Sequence, residues 1–299
     1  MRERWIEADG LSVYTVEWGT GERGDRVLLV HGLGASTVSW ELVGGGLAEA
    51  LGVDVAAVDL GGFGLTRLPR GRRATVGANG RLVRALLGDG LGPAVVVGNS
   101  MGGAIGVGLA ARHPELVRAL VLVDPALPGG AGGGPPPWQV MARFVPLMVP
   151  QVGGRFVDLR ARRLGPARLV DTTLEWTLAH PERLDPGLRD RLIARATERS
   201  AFPEAPAAYA EAARSLFVYM QRRLGADLRR VECPTLILHG ALDRLVPVAA
   251  ARAAAARRPD FTLEVVDDCG HAPQLELPGR FLELVTPWLA AVAGTARGA

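Results

Sequence analysis

The chain has 299 residues, of which 48% are hydrophobic and 22% charged. That is enough apolar material for a large core, and it excludes global disorder. The formal net charge is only +3, every basic residue is arginine, and no basic block occurs, so nucleic acid is not an expected partner.

Taken in chain order, WIEADGLSVYTVEWG near the start reads as a hairpin turning at Asp9-Gly10, an antiparallel edge. Short aliphatic runs then recur: RVLLVHG from Arg26, VDVAAVDLGG from Val53, AVVVGNS from Ala94, ALVLVDP from Ala119, PTLILHG from Pro234 and FTLEVVDD from Phe261. Near-continuous apolar strands of this length belong to a sheet buried on both faces, hence mostly parallel. Helical patterns alternate with them, starting near Trp40, Asn79, Met101, Val248 and Pro278. The expected fold is therefore α/β, a doubly wound, mostly parallel sheet.

The alternation stops after Asp124. ALPGGAGGGPPP reads as a hinge, and prolines 146, 150, 166, 181, 186, 203 and 206 cut the following helical stretch into pieces. We expect residues 1–127 to form the first part of the core, 128–230 an inserted helical cap, and 231–299 the second part. The apolar stretch WQVMARFVPLMVPQVGGRF is expected to pack as cap core and pocket wall, because Pro146 and Pro150 interrupt any long face suited to a membrane. No stretch reaches about 18 consecutive apolar residues and MRERWIEADG lacks a signal-peptide core. A soluble, cytoplasmic chain without stable membrane insertion is expected; a homo-oligomer is compatible with it. Cys233 and Cys269 cannot make a disulfide framework and read as buried, reduced thiols.

In open parallel sheets, working residues gather at the carboxyl ends of strands. Gly98-Asn99-Ser100-Met101-Gly102 fits G-x-S-x-G between a strand and a helix, a sharp turn that exposes a serine hydroxyl beside the positive end of the helix. The bland alternative is a serine capping that helix. Among five histidines, His31 reads as a turn-fixing residue, His113 as a helix end, His180 as part of the cap and His239 as a packed strand end. His271, in DDCGHAPQLELP after the last strand, is left as the base. Asp243 in LHGALDRLVP is the expected acid that orients the imidazole, with Asp124 as its rival; Asp59 reads as a loop anchor. In HGLGAS, Gly32 and Gly34 let the Leu33 N–H point into the site, where with the Met101 N–H it would make an oxyanion hole.

HGLG, DLGGFG, GNSMGG, LHGALDRLVP and CGH, in this order, resemble the α/β-hydrolase superfamily across nearly the whole chain outside the cap. The resemblance implies Ser100 as nucleophile, His271 as base and Asp243 as acid, with neither metal nor organic cofactor. Serine at the nucleophile position favours acyl transfer on a small-molecule acyl substrate, carboxylic esters first. The chain is also similar to the meta-cleavage product hydrolases, which split carbon–carbon bonds. There the resemblance is incomplete, since Ala272-Pro273 follows the histidine where those enzymes commonly carry an aromatic. They also bind a substrate carboxylate through a cap arginine, for which Arg155, Arg160, Arg162, Arg163 and Arg191 are among the candidates. A non-catalytic binding protein on the same fold is the alternative of another class.

Overall fold

A computed structural model describes residues 1–19, 26–127 and 138–296. Strands β1 (Arg2–Ala8) and β2 (Leu11–Trp18) form the expected hairpin, with Asp9 at φ 47° and Gly10 at φ 70° in the tight turn. The chain continues through β3 (Arg26–Val30), α1 (Glu41–Leu51), β4 (Asp54–Val58), α2 (Val76–Leu86), β5 (Ala94–Asn99), α3 (Met101–Arg112) and β6 (Val117–Val123). The next helices are α4 (Trp138–Met148), α5 (Pro150–Thr177), α6 (Pro186–Ser200), α7 (Ala205–Tyr219) and the short α8 (Gly225–Leu228). Core alternation resumes with β7 (Thr235–Gly240), α9 (Val248–Arg257), β8 (Thr262–Val266), α10 (Pro273–Glu276) and α11 (Pro278–Ala296).

The eight strands form one sheet in the order β1-β2-β4-β3-β5-β6-β7-β8. β1 and β2 pair antiparallel, as do β2 and β4, and all other neighbours are parallel. Alternate residues of each central strand enter different cores. Leu28, Val96, Leu120 and Ile237 pack on one face, towards α2, α3 and α9; Leu29, Val97, Val121 and Leu238 pack on the other, towards α1 and α11. Period-two alternation with both faces covered is the physical reason these runs read as continuously apolar.

The helices from 138 to 228 lie between β6 and β7 in chain order. The glycine-proline hinge falls largely on residues 128–137, outside the described residues. α5 is interrupted at Gly165, where φ is 69° and ψ 167°, just before Pro166. These helices meet the rest of the described residues in three apolar seams. Ala212, Leu216, Leu224 and Leu228 join the cluster that holds Leu28 and Val96. Leu174, Leu178, Leu184 and Leu188 pack with Val38, Ala272 and Leu275. Leu147, Ala210 and Ala213 pack with Phe144, Met148, Val157 and Tyr209, and Leu33 closes that cluster from the core side.

One expectation is corrected here. The apolar stretch from Trp138 to Phe156 does not pack throughout: Leu147 is buried, but Val145, Val149, Val152 and Phe156 are exposed. Helix periodicity explains the split, because a helix buries one stripe and turns the other outward. Both cysteines are free, as expected, although Cys233 is only partly buried.

Candidate active site

Ser100 sits at the turn from β5 into α3 with φ 53° and ψ −112°, a region that disfavours any side chain. Its main chain is pinned: its N–H donates to the Val123 carbonyl at 3.0 Å, and its carbonyl accepts from Ala104 and Ala126. Its side chain makes no capping hydrogen bond to α3, so the bland reading of a helix cap does not hold. The crossing is very tight. A Cβ at Gly102 would lie 2.1 Å from the Val30 carbonyl oxygen, and one at Gly98 would lie 2.4 Å from the carbonyl carbon of Gly102. Only glycine fits where strand and helix backbones touch in this way.

His271 follows β8 and is 5% exposed. Its Nδ1 lies 2.7 Å from Asp243 Oδ2. Asp243, in the loop after β7, uses its other oxygen, Oδ1, to accept the N–H groups of Leu245 and Val246 at 2.7 and 3.0 Å. Burial opposes the charge on Asp243, but His271, His239 and the Val246 N–H outweigh it and hold the carboxyl below its ordinary range. A carboxylate fixed this way keeps the proton on Nδ1 and leaves Nε2 as the basic nitrogen.

Asn99 connects this pair to the serine. Its side-chain Nδ2 donates to the His271 carbonyl and to the Val123 carbonyl, both at 3.1 Å. The residue before Ser100 therefore holds the residue that carries the imidazole. The His271 N–H donates to the Thr177 carbonyl at 2.6 Å, at the end of α5. Among the described residues Ser100 Oγ makes no hydrogen bond, so the His271–Asp243 pair is formed without a direct bond to the serine.

Gly32 lies directly over the elbow: a Cβ there would be 3.1 Å from Ser100 Cβ. Gly34, at φ 79°, closes the same loop beneath the Tyr209 ring. Leu33 lies between these two glycines in the chain. Met101 heads α3, where the first-turn amides have no partner within the helix. Both donors expected for an oxyanion hole thus belong to segments that flank the serine.

Asp124, the rival acid, is buried after β6 at φ 42°. It does not contact His271; its Oδ1 accepts the Gly240 N–H at 2.9 Å. Burial, reinforced by the charge of Asp243, pushes its carboxyl well above the usual range. Asp124, His239 and Asp243 bring ligand-type atoms close together. However, His239 Nε2, the nitrogen facing both carboxylates, lies 2.9 Å from the Val246 carbonyl and must donate to it. Burial keeps that imidazole neutral by lowering its pKa. The trio reads as a support for the acid rather than a metal centre.

The other histidines behave as expected. His31 Nε2 accepts the Leu60 N–H at 3.1 Å and Nδ1 donates to the Gly32 carbonyl at 2.7 Å, which fixes the turn. His113 ends α3, and His180 meets Asp268 at 2.7 Å. Asp59 anchors its loop by accepting the N–H groups of Thr37 and Leu65, each at 2.7 Å.

Sequence reasoning missed four contributors. Arg195 reaches from α6 to buried Asp59 at 3.2 Å and lies over the Tyr14 ring. Arg199 donates to the Gly62 carbonyl at 2.6 Å and lies over Phe63. The spacing Leu188, Leu192, Arg195, Arg199 follows one helix face and could have singled them out. Glu276, 2% exposed, accepts the N–H groups of Gly270, Ala179 and His180 at 2.8, 3.1 and 2.8 Å. Asn99, described above, is the fourth. Of the cap arginines named from sequence as candidates, Arg155, Arg162 and Arg163 are exposed, Arg160 is half-buried, and Arg191 pairs with Glu41 at 2.5 Å.

Residues 25–278 match the family model for the alpha/beta hydrolase fold. The chain is 31% identical over 271 residues to a 2-hydroxymuconate semialdehyde hydrolase of Pseudomonas putida, covering 89% of this chain and 88% of that protein. Among solved structures, it resembles a thermophilic esterase from Thermogutta terrifontis, with 25% identity, a TM-score of 0.72 and coverage of 98% and 99% of the two chains. It also resembles the 2-hydroxy-6-oxo-6-phenylhexa-2,4-dienoate hydrolase of Rhodococcus sp. strain RHA1, with 26% identity, a TM-score of 0.75 and coverage of 96% and 97%. With an eight-stranded, mostly parallel sheet, a serine at positive φ between strand and helix and a family match over most of its length, this chain belongs to the alpha/beta hydrolase fold family.

Proposed function

We propose that the protein is a serine hydrolase that cleaves carboxylic esters of small or medium acyl substrates through Ser100, His271 and Asp243, beneath a cap formed by the inserted helices. The observation that carries this reading is the shared support of the site. Asn99 holds the His271 carbonyl beside Ser100 while Asp243 orients the imidazole at 2.7 Å.

In the proposed cycle, His271 Nε2 takes the Ser100 proton as Oγ attacks the acyl carbonyl. The N–H groups of Leu33 and Met101 hold the oxyanion; losing one such donor typically costs about 3 kcal/mol of barrier stabilisation. His271 then returns the proton to the leaving alcohol. Water, activated by the same imidazole, releases the acid and restores the serine. Asp243 stays ionised throughout and stabilises the transient imidazolium. A side chain at Ser100 without a cap bond and a carboxyl held in its charged form both suit these roles.

A second reading, hydrolysis of a carbon–carbon bond, is favoured by the 31% identical relative of similar length, whose name describes a semialdehyde hydrolase. Against it, Ala272 follows His271, and the two inward arginines are already engaged by Asp59 and Gly62.

The test is covalent labelling of the folded chain with a fluorophosphonate, followed by turnover of short p-nitrophenyl esters and of a coloured dienone acid. Labelling at Ser100, lost in Ser100→Ala, with faster ester turnover supports the proposal. No label on the folded chain favours a binding protein, and fast bleaching with poor ester turnover favours the carbon–carbon reaction.

A further inference from the structure

Helix α5 begins at Pro150 and runs unbroken to Gly165, so its first four turns lie beyond both Pro146 and Pro150. On these turns Val152, Phe156 and Leu159 are 48%, 37% and 50% exposed. Spacings of four and three place them on one face, with Arg163 in line and Arg155 beside them. Both arginines are exposed. The opposite face is the packed one: Gly153 and Gly154 lie against Ala210 and Ala207 of α7, and Val157 joins the cluster around Leu147. Val145 on α4 and Val149 at the junction are exposed as well.

Charge on this segment is lopsided. Residues 150–166 carry Arg155, Arg160, Arg162 and Arg163 against a single acidic residue, Asp158. Asp158 is itself paired with Arg162 at 2.9 Å. An outward apolar stripe flanked by guanidinium groups is the pattern of a helix that lies in the plane of an anionic lipid surface. Aliphatic and aromatic side chains enter the acyl boundary, and arginines meet the phosphates. The neighbouring residues 128–137 are PGGAGGGPPP and hold no large apolar side chain with which to cover the stripe.

We propose that this face of α5, centred on Val152, Phe156 and Leu159, docks the protein peripherally on anionic lipid. The docking does not require Ser100 to act, so it stands or falls apart from the ester reading.

The test is co-sedimentation of the full chain with vesicles of phosphatidylcholine alone and of equal parts phosphatidylcholine and phosphatidylglycerol. Partition onto the mixed vesicles should be on the order of tenfold stronger and should weaken in high salt. Phe156→Asp with Leu159→Asp, and separately Arg155→Glu with Arg163→Glu, should each reduce that partition about tenfold, with melting temperature unchanged. The charge-reversal pair leaves the apolar residues in place and so guards against a misfolded first variant. The proposal is overturned if the unmodified chain does not partition onto the mixed vesicles, or if both variants partition as it does. It is also overturned if equilibrium sedimentation finds a dimer that Phe156→Asp dissolves, since the stripe would then belong to a second copy.

Discussion

His271 donates its main-chain N–H to the carbonyl of Thr177 at 2.6 Å. The loop that carries the candidate base is therefore sewn to the end of α5. Glu276 adds a second stitch, joining Gly270 to Ala179 and His180. Position of the imidazole and position of the insertion are thereby one mechanical problem. Glu276→Ala leaves the buried Gly270 N–H without its acceptor, at a cost of about 1–3 kcal/mol, and the half-buried Ala179 and His180 N–H groups at a smaller one. We expect a lower melting temperature and reduced kcat, with Glu276→Gln recovering part of both because one carbonyl oxygen remains. Thermal melts and steady-state kinetics on a p-nitrophenyl ester check this; full activity in Glu276→Ala would contradict it.

Ser100→Ala and His271→Ala should each lower kcat by about 10⁴-fold or more with the fold retained, and the double variant should lose little beyond either single one. Circular dichroism and single-turnover assays on all three provide the check.

Asp243 and Asp124 are separable by isosteric change. Asp243→Asn places an amide where Nδ1–H must be accepted and favours the wrong tautomer, an effect on the order of 10⁴-fold in kcat. Asp124→Asn retains an oxygen for the Gly240 N–H, so kcat should stay within about tenfold. The opposite ranking of the two variants would reassign the acid.

Arg195 is the partner of a fully buried carboxylate. Arg195→Met should destabilise the protein by about 3 kcal/mol, because buried Asp59 loses its guanidinium and must either keep an unpaired charge or take up a proton. Adding Asp59→Asn should recover part of that loss, and a denaturant-based double-mutant cycle measures how much.

Two buried groups oppose each other in acid. Burial pushes His31 down from 6.5 to about 4, so between those values the unfolded chain binds the extra proton and stability falls as pH drops. Burial pushes Asp59 up from 3.8 to about 6, so there the folded chain binds the extra proton and stability rises as pH drops. Relative to the unmodified protein, His31→Gln should gain roughly 3 kcal/mol on going from near neutrality to about pH 4. Asp59→Asn should lose a similar amount over the same range. Urea unfolding across that window tests both signs, and parallel pH curves for all three proteins would refute the assignment.

The strands and the elbow were legible because each depends on local pattern. Aliphatic runs ending in Gly, Asn or Asp mark buried parallel strands, and G-x-S-x-G marks a crossing with no room for side chains. The pairing of Asp243 with His271 was expected from their places after strands, and the two side chains meet at 2.7 Å. Arg195 and Glu276 were not, since an arginine in an arginine-rich helix and a glutamate in QLELP look like solvated groups. What distinguishes them is a partner more than 90 residues away, Asp59 for one and Ala179 for the other. The exposed stripe on α5 was misread for a related reason: apolar content announces burial only when the face that is buried is known.

The approach of Gly102 to the Val30 carbonyl has a consequence for substitution at that position. A methyl group there would have to push apart strand β3 and helix α3. Whatever chemistry Ser100 performs, the crossing beneath it tolerates a hydrogen and nothing larger.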